Sequence, residues 1–159
     1  MATTKADIKA TYPLPVYNYK VDIGQDTVAF SEVSGLSIGY ETTTYKESST
    51  ESGKISPRVF RMPSQPVQTT LTLKKGLVPS KSQPALYAWL NTISINQVEK
   101  KDIVISLCDE TGAAIVSWTV SNAFPTKLDA PTFDANSNDA AIESMELMAD
   151  SISINYQVS

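Results

Sequence analysis

The sequence has 159 residues, of which 42% are hydrophobic and 19% are charged, a composition that supports one folded domain and excludes general disorder. Its formal net charge of -4 argues against a nucleic-acid-binding surface, which requires a basic footprint. The single cysteine, Cys108, excludes a disulfide within this chain, and the absence of histidine removes the most common metal ligand and catalytic base.

Charge is distributed unevenly along the chain. Residues 1–101 carry 12 basic and 8 acidic side chains, whereas residues 102–159 carry 1 basic and 9 acidic side chains. Such asymmetry indicates either a surface for a partner or a solvated acidic face. Both interpretations stay open at the level of the residues.

The first 16 residues are polar and end in YPLPV, where Pro13 and Pro15 favour an extended N-terminal arm. They contain no apolar segment of the kind found in a secretory signal, and no stretch of the chain approaches the length of a membrane span. We therefore expect synthesis in the cytoplasm without a signal peptide, and release by another route such as cell lysis.

Strand-like alternation begins with YNYKVDIG at residues 17–24 and continues to residue 45, with a bend or bulge predicted at Gly35 and Gly39. Residues 46–66 are rich in Ser, Gly and Pro and predict an extended loop or hairpin tip. Such a long loop is uncommon in a compact domain, so we expect it to become ordered against a neighbouring subunit or ring. The clearest strand follows in VQTTLTLKKG, residues 67–76.

One helix is predicted within SQPALYAWLNTISI, residues 82–95, where Ser82 can cap the first turn and Pro84 fits it. We expect Trp118 and an apolar helical stripe to be buried, with Trp89 docking the helix onto the sheet. The stripe consists of Leu86, Trp89, Leu90 and Ile93.

Alternation of apolar and polar residues returns in DIVISLCDE and AIVSWTVSN. The turn residues 110–112, ETG, predict that these two segments form a hairpin. NAFPTKLDAP, residues 122–131, predicts a corner. Pro125 and Pro131 lack the N–H of a strand ladder, so we expect pairing to stop there and the chain to cross to another sheet. Apolar residues then occupy odd positions before Asp150 and even positions after it, which predicts a bulge or break there.

No set of residues meets the requirements of a catalytic, cofactor or metal site. Cys108 has no basic neighbour in sequence that would favour its thiolate, and no glycine-rich phosphate-binding motif occurs. Residues 134–147 begin like an EF-hand loop, but Asp139 stands where glycine is required and Met145 where glutamate is required. We therefore expect no enzymatic activity, no cofactor and no metal.

Alternating strands with one helix predict a mainly β fold, a barrel or sandwich, in a single domain over residues 1–159. Few lysines or prolines interrupt VQTTLTLKK or SISINYQVS, although exposed strand edges normally need such protection. Edges left bare in this way are closed into a barrel or paired with another subunit, and a symmetric ring does both.

Several stretches resemble the inner-tube proteins of contractile injection machines, which include the tail tubes of contractile-tailed phages. The similarity is carried by YPLPVYNYKVDIG, FSEVSGLSIGYETTTYKE, LTLKKG, LYAWLNTISINQVEKKDIVISLCDETG and WTVSNAFPTKLDAPTFDANSNDAAIESMELMAD, which cover most of residues 12–150. It is strongest with the tubes of extracellular contractile injection systems of the Photorhabdus virulence cassette and antifeeding prophage type.

The resemblance implies a tail-tube-type β-barrel subunit that forms hexameric rings, which stack into a hollow tube that a contracting sheath drives into a target. It implies as partners further copies of the chain, sheath and baseplate proteins, and cargo in the lumen, with no specific nucleic acid and no stable membrane insertion. It places the protein in a phage tail-like particle outside the cell, or in a virion tail. The length of the 46–66 loop leaves open a specialised first ring at the baseplate.

Charge suggests the candidate interface residues, which are basic Lys54, Arg58 and Arg61 and acidic Asp134 and Asp139. If rings stack head to tail, we expect the two sets to meet across the ring–ring interface and to set its register. A rival hypothesis places some carboxylates in the lumen, where they would repel anionic cargo. Two other functions stay open, a secreted haemolysin-coregulated-type ring and a β-sandwich binding module.

Overall fold

The computed structural model of the protein describes residues 2–50, 53, 55–78, 85–95 and 97–156. Among these residues lie two helices and ten strands, in the order α1 (Lys5–Thr11), β1 (Tyr19–Ile23), β2 (Asp26–Val28), β3 (Glu32–Ser34), β4 (Tyr40–Ser49), β5 (Ser56–Pro66), β6 (Thr69–Gly76), α2 (Ala85–Leu90), β7 (Lys101–Cys108), β8 (Ala114–Asp129), β9 (Ile142–Ala149) and β10 (Ser151–Tyr156). The expected mainly β fold is confirmed, and the fold contains a helix, α1, that we did not predict.

The strands other than β4 and β5 form one antiparallel eight-stranded sheet in the order β2-β1-β7-β8-β9-β6-β3, with β10 also beside β8. Strand β8 belongs to two layers, because its first part pairs with β7 and β10 and its second part pairs with β9. Layer A consists of β2, β1, β7, the first part of β8 and β10. Layer B consists of the second part of β8, β9, β6 and β3.

The chain passes from layer A to layer B at Asn122, whose φ is 54°, a conformation that asparagine tolerates better than most residues. Its backbone N–H donates to the Asp102 carboxylate at 2.9 Å, and its side-chain amide donates to the Asp150 carboxylate at 2.9 Å. The backbone N–H of Asp150 donates to the Ser121 carbonyl at 3.1 Å. The predicted corner and the predicted break at Asp150 are thus confirmed as two sides of one feature.

The expectation that Pro125 stops strand pairing is wrong. Strand β8 continues to Asp129, and Pro125 is fully buried opposite Leu147, with an irregular register between Pro125 and Lys127. Proline is tolerated at such an irregularity because the local ladder does not require its missing N–H. Pro131 lies beyond the end of β8, as expected.

The core lies between the two layers and is completed by α2. Its buried residues are Val21, Ile23, Ile103, Ile105 and Val120 from layer A, Leu71, Leu73, Met145, Leu147 and Ala149 from layer B, Leu86 and Trp89 from α2, and Ala123 beside the corner. Trp89 is 3% exposed, and its indole N–H donates to the Glu99 carbonyl at 2.7 Å. The Lys101 ammonium lies 5.4 Å from the Trp89 ring centroid. The predicted burial of Leu86 and Trp89 is confirmed.

Helix α2 is shorter than the sequence pattern predicts, because it ends at Leu90. Leu90 is half-buried, and Ile93, which lies beyond the helix end, is 43% exposed, so the predicted burial of Ile93 is wrong. The predicted cap Ser82 and the first-turn Pro84 lie outside the described residues.

The predicted bend at Gly35 is confirmed, with a φ of 91°. A Cβ at this position would collide with the carbonyl oxygen of Thr70, so the segment after β3 can approach β6 closely only with glycine.

The N-terminal arm is not wholly extended, since Lys5–Thr11 form α1. Thr4 and Asp7 form a capping box, in which the Asp7 N–H donates to the Thr4 hydroxyl at 3.2 Å and the Thr4 N–H donates to the Asp7 carboxylate at 3.1 Å. Lys9 joins the helix to the turn between β7 and β8, with its Nζ 3.3 Å from Glu110 and 3.8 Å from Asp109.

We expect Trp89→Ala to lower the free energy of unfolding by about 3–5 kcal/mol, because it removes a buried ring and the hydrogen bond to Glu99. Denaturant unfolding measures this loss. Tyr87→Ala on the same helix is the matched control, since Tyr87 is 60% exposed and should change stability by only about 0.5 kcal/mol. Equal effects of the two substitutions would show that Trp89 does not anchor α2.

We expect acidification to detach α1 before the core unfolds. The Thr111 hydroxyl, which donates to Asp109, lowers the pKa of Asp109, and the Glu110 backbone N–H and then Lys9 lower the pKa of Glu110. The hydrogen bonds from Thr111 and from the Glu110 N–H stabilise the turn itself, and only the part of each lowered pKa that comes from Lys9 stabilises the contact with α1. This part is fully present above about pH 4, the ordinary carboxyl value, and is lost as the pH falls through the lowered pKa.

The Cα chemical shifts of residues 5–11, followed by NMR from pH 7 downward, measure this detachment. The variant Lys9→Met should show helical shifts that are weak at every pH. Helical shifts in the native chain that persist until the core itself unfolds would contradict the prediction.

Candidate assembly interface

Strand β10 is an edge of the sheet, and its neighbour among the described strands is β8. Its six residues, SISINY, include no proline and no charged side chain. Prolines, charges and bulges are what normally prevent an edge from pairing with another chain. The structure thus confirms that the SISINYQVS edge is bare over residues 151–156.

The side chains beneath this edge are apolar and exposed. Ile154 lies opposite Trp118 and is 40% exposed, and Tyr156 is 67% exposed. Trp118 is only half-buried and, with Leu36 and Leu107, lines an open cleft of about 360 Å³ beside β3. The predicted burial of Trp118 in the protomer is therefore wrong, because its ring faces this cleft. Clustered exposed apolar side chains of this kind mark a surface for another chain.

Strands β4 and β5 form a separate two-stranded sheet, an extended hairpin in which nearly every residue is exposed. The predicted extended hairpin is confirmed, and it begins at Tyr40, before the 46–66 segment to which the sequence pattern assigned it. A two-stranded hairpin with no buried face has little stability of its own, so contact with another surface would stabilise it.

The two faces of the hairpin differ. On one face the rings of Tyr45 and Phe60 stack with centroids 6.2 Å apart, and the Arg58 guanidinium lies 4.8 Å from the Phe60 centroid. Arg61 lies on the opposite face, because side chains alternate along a strand. The two arginines therefore cannot contact one flat partner surface together. Lys54 lies outside the described residues.

Asp134 and Asp139 lie in the exposed loop between β8 and β9. The Asp134 carboxylate accepts the Asn136 N–H at 3.0 Å, and the Asp139 N–H donates to the Ser137 hydroxyl at 3.1 Å. The loop also presents the ring of Phe133, which is 87% exposed. Within the described residues, no ion pair links this loop to the hairpin arginines.

Across the part of the chain that the structure describes, no three His, Cys, Asp or Glu side chains gather in a way that could hold a metal ion. Cys108 is partly exposed, with its Sγ 3.6 Å from the Ser106 carbonyl oxygen. No helix among the described residues is long and apolar enough to cross a bilayer.

The aromatic stack of the hairpin and the exposed ring of Phe133 were not among the features predicted from sequence. Tyr45 and Phe60 become neighbours through the hairpin register, which a loop without hydrophobic period does not reveal. The available signal was YETTTY followed by RVFRM, two short segments rich in β-branched and aromatic residues on either side of the Ser- and Gly-rich tip.

Residues 15–153 match the model of the T4-like virus tail tube protein gp19 family. A comparison with curated proteins gave no significant match. Among solved structures, this chain is 42% identical to a chain of the PVC sheath-tube complex of an extracellular contractile injection system in the extended state, with a TM-score of 0.88. The match covers 98% of this chain and 100% of the other.

Two further structures are similar over nearly their whole length. A chain of the anti-feeding prophage cap, which terminates the tube, is 44% identical with a TM-score of 0.83, over 99% of this chain and 100% of that one. A chain of the PVC sheath/tube terminator in the extended state is 45% identical with a TM-score of 0.80, over 91% of this chain and 97% of that one.

Proposed function

The chain belongs to the tail tube family of contractile injection systems, and on that premise we propose that six copies close side by side into a ring and that rings stack into a hollow tube. The family and the matched assemblies are structural tube proteins. The observation that supports ring closure is the bare β10 edge with exposed Ile154 and Tyr156 beneath it.

Ring closure would provide a partner both for the unpaired edge of β10 and for the exposed apolar side chains beside it. Unpaired backbone groups of β10 would bind the strand edge of the next copy, and Trp118, Ile154 and Tyr156 would lose their exposure to water. A head-to-tail contact whose rotation closes produces a ring, which leaves no edge free. The half-buried Trp118 is then a residue of the interface between copies.

We expect Ile154→Asp to abolish rings while the protomer stays folded, because a carboxylate would be buried unpaired in the contact between copies. Size-exclusion chromatography and electron microscopy measure assembly, and tryptophan fluorescence checks the fold. Asn155→Asp places the same charge on the opposite face of the same strand and should leave rings intact. Normal rings from Ile154→Asp would exclude β10 from the interface.

The hairpin and the acidic loop are the surfaces that we propose for contact between stacked rings. The hairpin presents an aromatic stack with Arg58, and the loop presents Phe133 with Asp134 and Asp139. Opposite charges and exposed rings on the two surfaces are complementary, which favours one register over others. Exposed ion pairs contribute only about 0–1 kcal/mol each, so the effect of these charges should be cumulative and sensitive to salt.

We expect the double reversal Asp134→Lys/Asp139→Lys to shorten or abolish tubes at low salt, because like charges would then face one another. Since Arg58 and Arg61 lie on opposite faces of the hairpin, only one of Arg58→Glu and Arg61→Glu should restore tubes in this background. The neutral variant Asp134→Asn/Asp139→Asn separates repulsion from lost attraction. Tubes of normal length from the double reversal at every salt concentration would refute the stacking role and favour a lumenal or plain solvent-exposed position.

The proposed partners are a sheath outside the tube, a baseplate at one end and cargo in the lumen. The similarity is to tube-associated chains of extracellular injection systems, so we propose a tail-like particle outside the cell as the site of action. We propose a position in the repeating tube over a first ring at the baseplate, because a chain of the sheath–tube complex matches this chain with a TM-score of 0.88. Electron microscopy of the purified protein distinguishes stacked tubes from the isolated rings of a secreted carrier.

A further inference from the structure

We infer that neighbouring copies in the assembled ring exchange their N-terminal arms, so that α1 of one copy binds the β7–β8 turn of its neighbour. The inference rests on the proposed function. The arm is defined as residues 4–18, which comprise α1 with its cap and the linker YPLPVYN. The surface that receives α1 is called the turn surface and consists of Cys108, Asp109, Glu110 and Ile115.

Helix α1 is held loosely on the turn surface of its own protomer. Four arm residues with the spacing of one helical stripe line a cleft of about 470 Å³ beside that surface, namely Lys5, Ile8, Lys9 and Tyr12. Ile8 and Tyr12 are still 40% and 58% exposed, so their apolar side chains are only partly covered. The ion pair of Lys9 with Glu110 is also largely exposed, and such pairs contribute little to stability. The helix can therefore leave its position at a small cost in free energy.

The linker between α1 and β1 exposes two apolar side chains. Val16 is 80% exposed and Tyr17 is 82% exposed, and both lie where the backbone bends. Asn18 fixes the end of the linker, because its side-chain amide donates to two carbonyls of the turn surface, at 2.7 and 3.1 Å. Val16 also lines the cleft that contains Trp118. The exposed part of the linker is therefore continuous with the surface proposed for ring closure.

Strand order places the linker on the side of layer A that ring closure brings to a neighbour. Tyr19, Leu107, Val116 and Tyr156 pair in one row across layer A. The start of β1, the β7–β8 turn and the end of β10 therefore lie at the same end of the layer. The edge opposite β10 is β2, which lies next to β1. Joining β10 of one copy to β2 of its neighbour sets the neighbour's linker beside the turn surface of the first copy.

The linker is long enough to reach either turn surface. Across joined edges, β8 of the neighbouring copy lies three strands from β1, which is about 15 Å at the usual strand spacing. The seven linker residues span about 23–25 Å when extended, and Pro13 and Pro15 favour that form. Exchange keeps the contacts between α1 and a turn surface, and it also removes Val16 and Tyr17 from water. The exchanged arm is thus favoured once copies stand side by side.

Cross-linking of the arm to the native thiol of the turn surface tests the inference. Lys5→Cys places a thiol on α1 in a chain that keeps Cys108, and Lys5 and Cys108 line the same cleft. A short bismaleimide is applied to protomers and to assembled rings, and the products are separated on a denaturing gel. In mixed rings, native copies are combined with copies that carry Lys5→Cys/Cys108→Ser, so a link from arm to turn forms only between chains. Mixed rings with Thr70→Cys/Cys108→Ser are the matched control, because Thr70 is exposed on β6 in layer B.

We expect Lys5→Cys protomers to be linked within the chain and to run as single chains, whereas Lys5→Cys rings give a ladder of up to six chains. Mixed rings should give two-chain products, and the Thr70→Cys control should give none above the background of native rings. Rings that yield only single chains, or no link at all, overturn arm exchange and leave ring closure intact. If Lys5→Cys does not assemble, Ile8→Cys tests the same stripe. Failure of the native chain to form rings overturns both proposals.

Discussion

The fold depends on one strand that serves two layers. Strand β8 can pair with β7 and β10 in its first part and with β9 in its second part because the backbone turns at Asn122. Three hydrogen bonds hold this turn, two to the carboxylates of Asp102 and Asp150 and one from Asp150 to the Ser121 carbonyl. Without it, the core residues of the two layers could not face one another.

The same crossing creates the surface proposed for assembly. Because the chain breaks at Asp150, β9 continues layer B while β10 continues layer A, and β10 ends as an outer strand. Its apolar side chains lie on the core side of layer A but beyond the reach of layer B, so Ile154 and Tyr156 stay exposed. The apolar surface of the core therefore continues beyond the part that this protomer buries, and a second copy of the chain can cover the remainder.

The two faces of layer A and the elements outside the main sheet have different roles. The core face provides stability within the protomer and, at its β10 end, contact between copies. The hairpin and the acidic loop lie outside the two layers, and both expose aromatic rings and charged side chains to solvent. The other face of layer A carries small polar side chains, among them Ser106, Ser117 and Thr119.

Much of the architecture was predictable, because hydrophobic period and turn chemistry act over short distances. Alternation predicted β1, β6 and the β7–β8 hairpin, and the change of phase predicted the break at Asp150. The resemblance to tube proteins, carried by residues across most of the chain, predicted the family that residues 15–153 match. Thr4 and Asp7 also have the spacing of a capping box in the sequence, whereas the prolines that follow them favour an extended arm.

Other features were decided by tertiary structure alone. Pro125 stays within β8 because an irregular register removes the need for its N–H, and register is a property of two strands. Trp118 lies in an alternating apolar pattern that is typical of a buried strand, but layer B does not extend far enough to cover its ring. Arg58 and Arg61 look like one basic cluster in sequence, and only the hairpin separates them onto opposite faces. Sequence determines which residues alternate, whereas pairing between distant strands determines what each face meets.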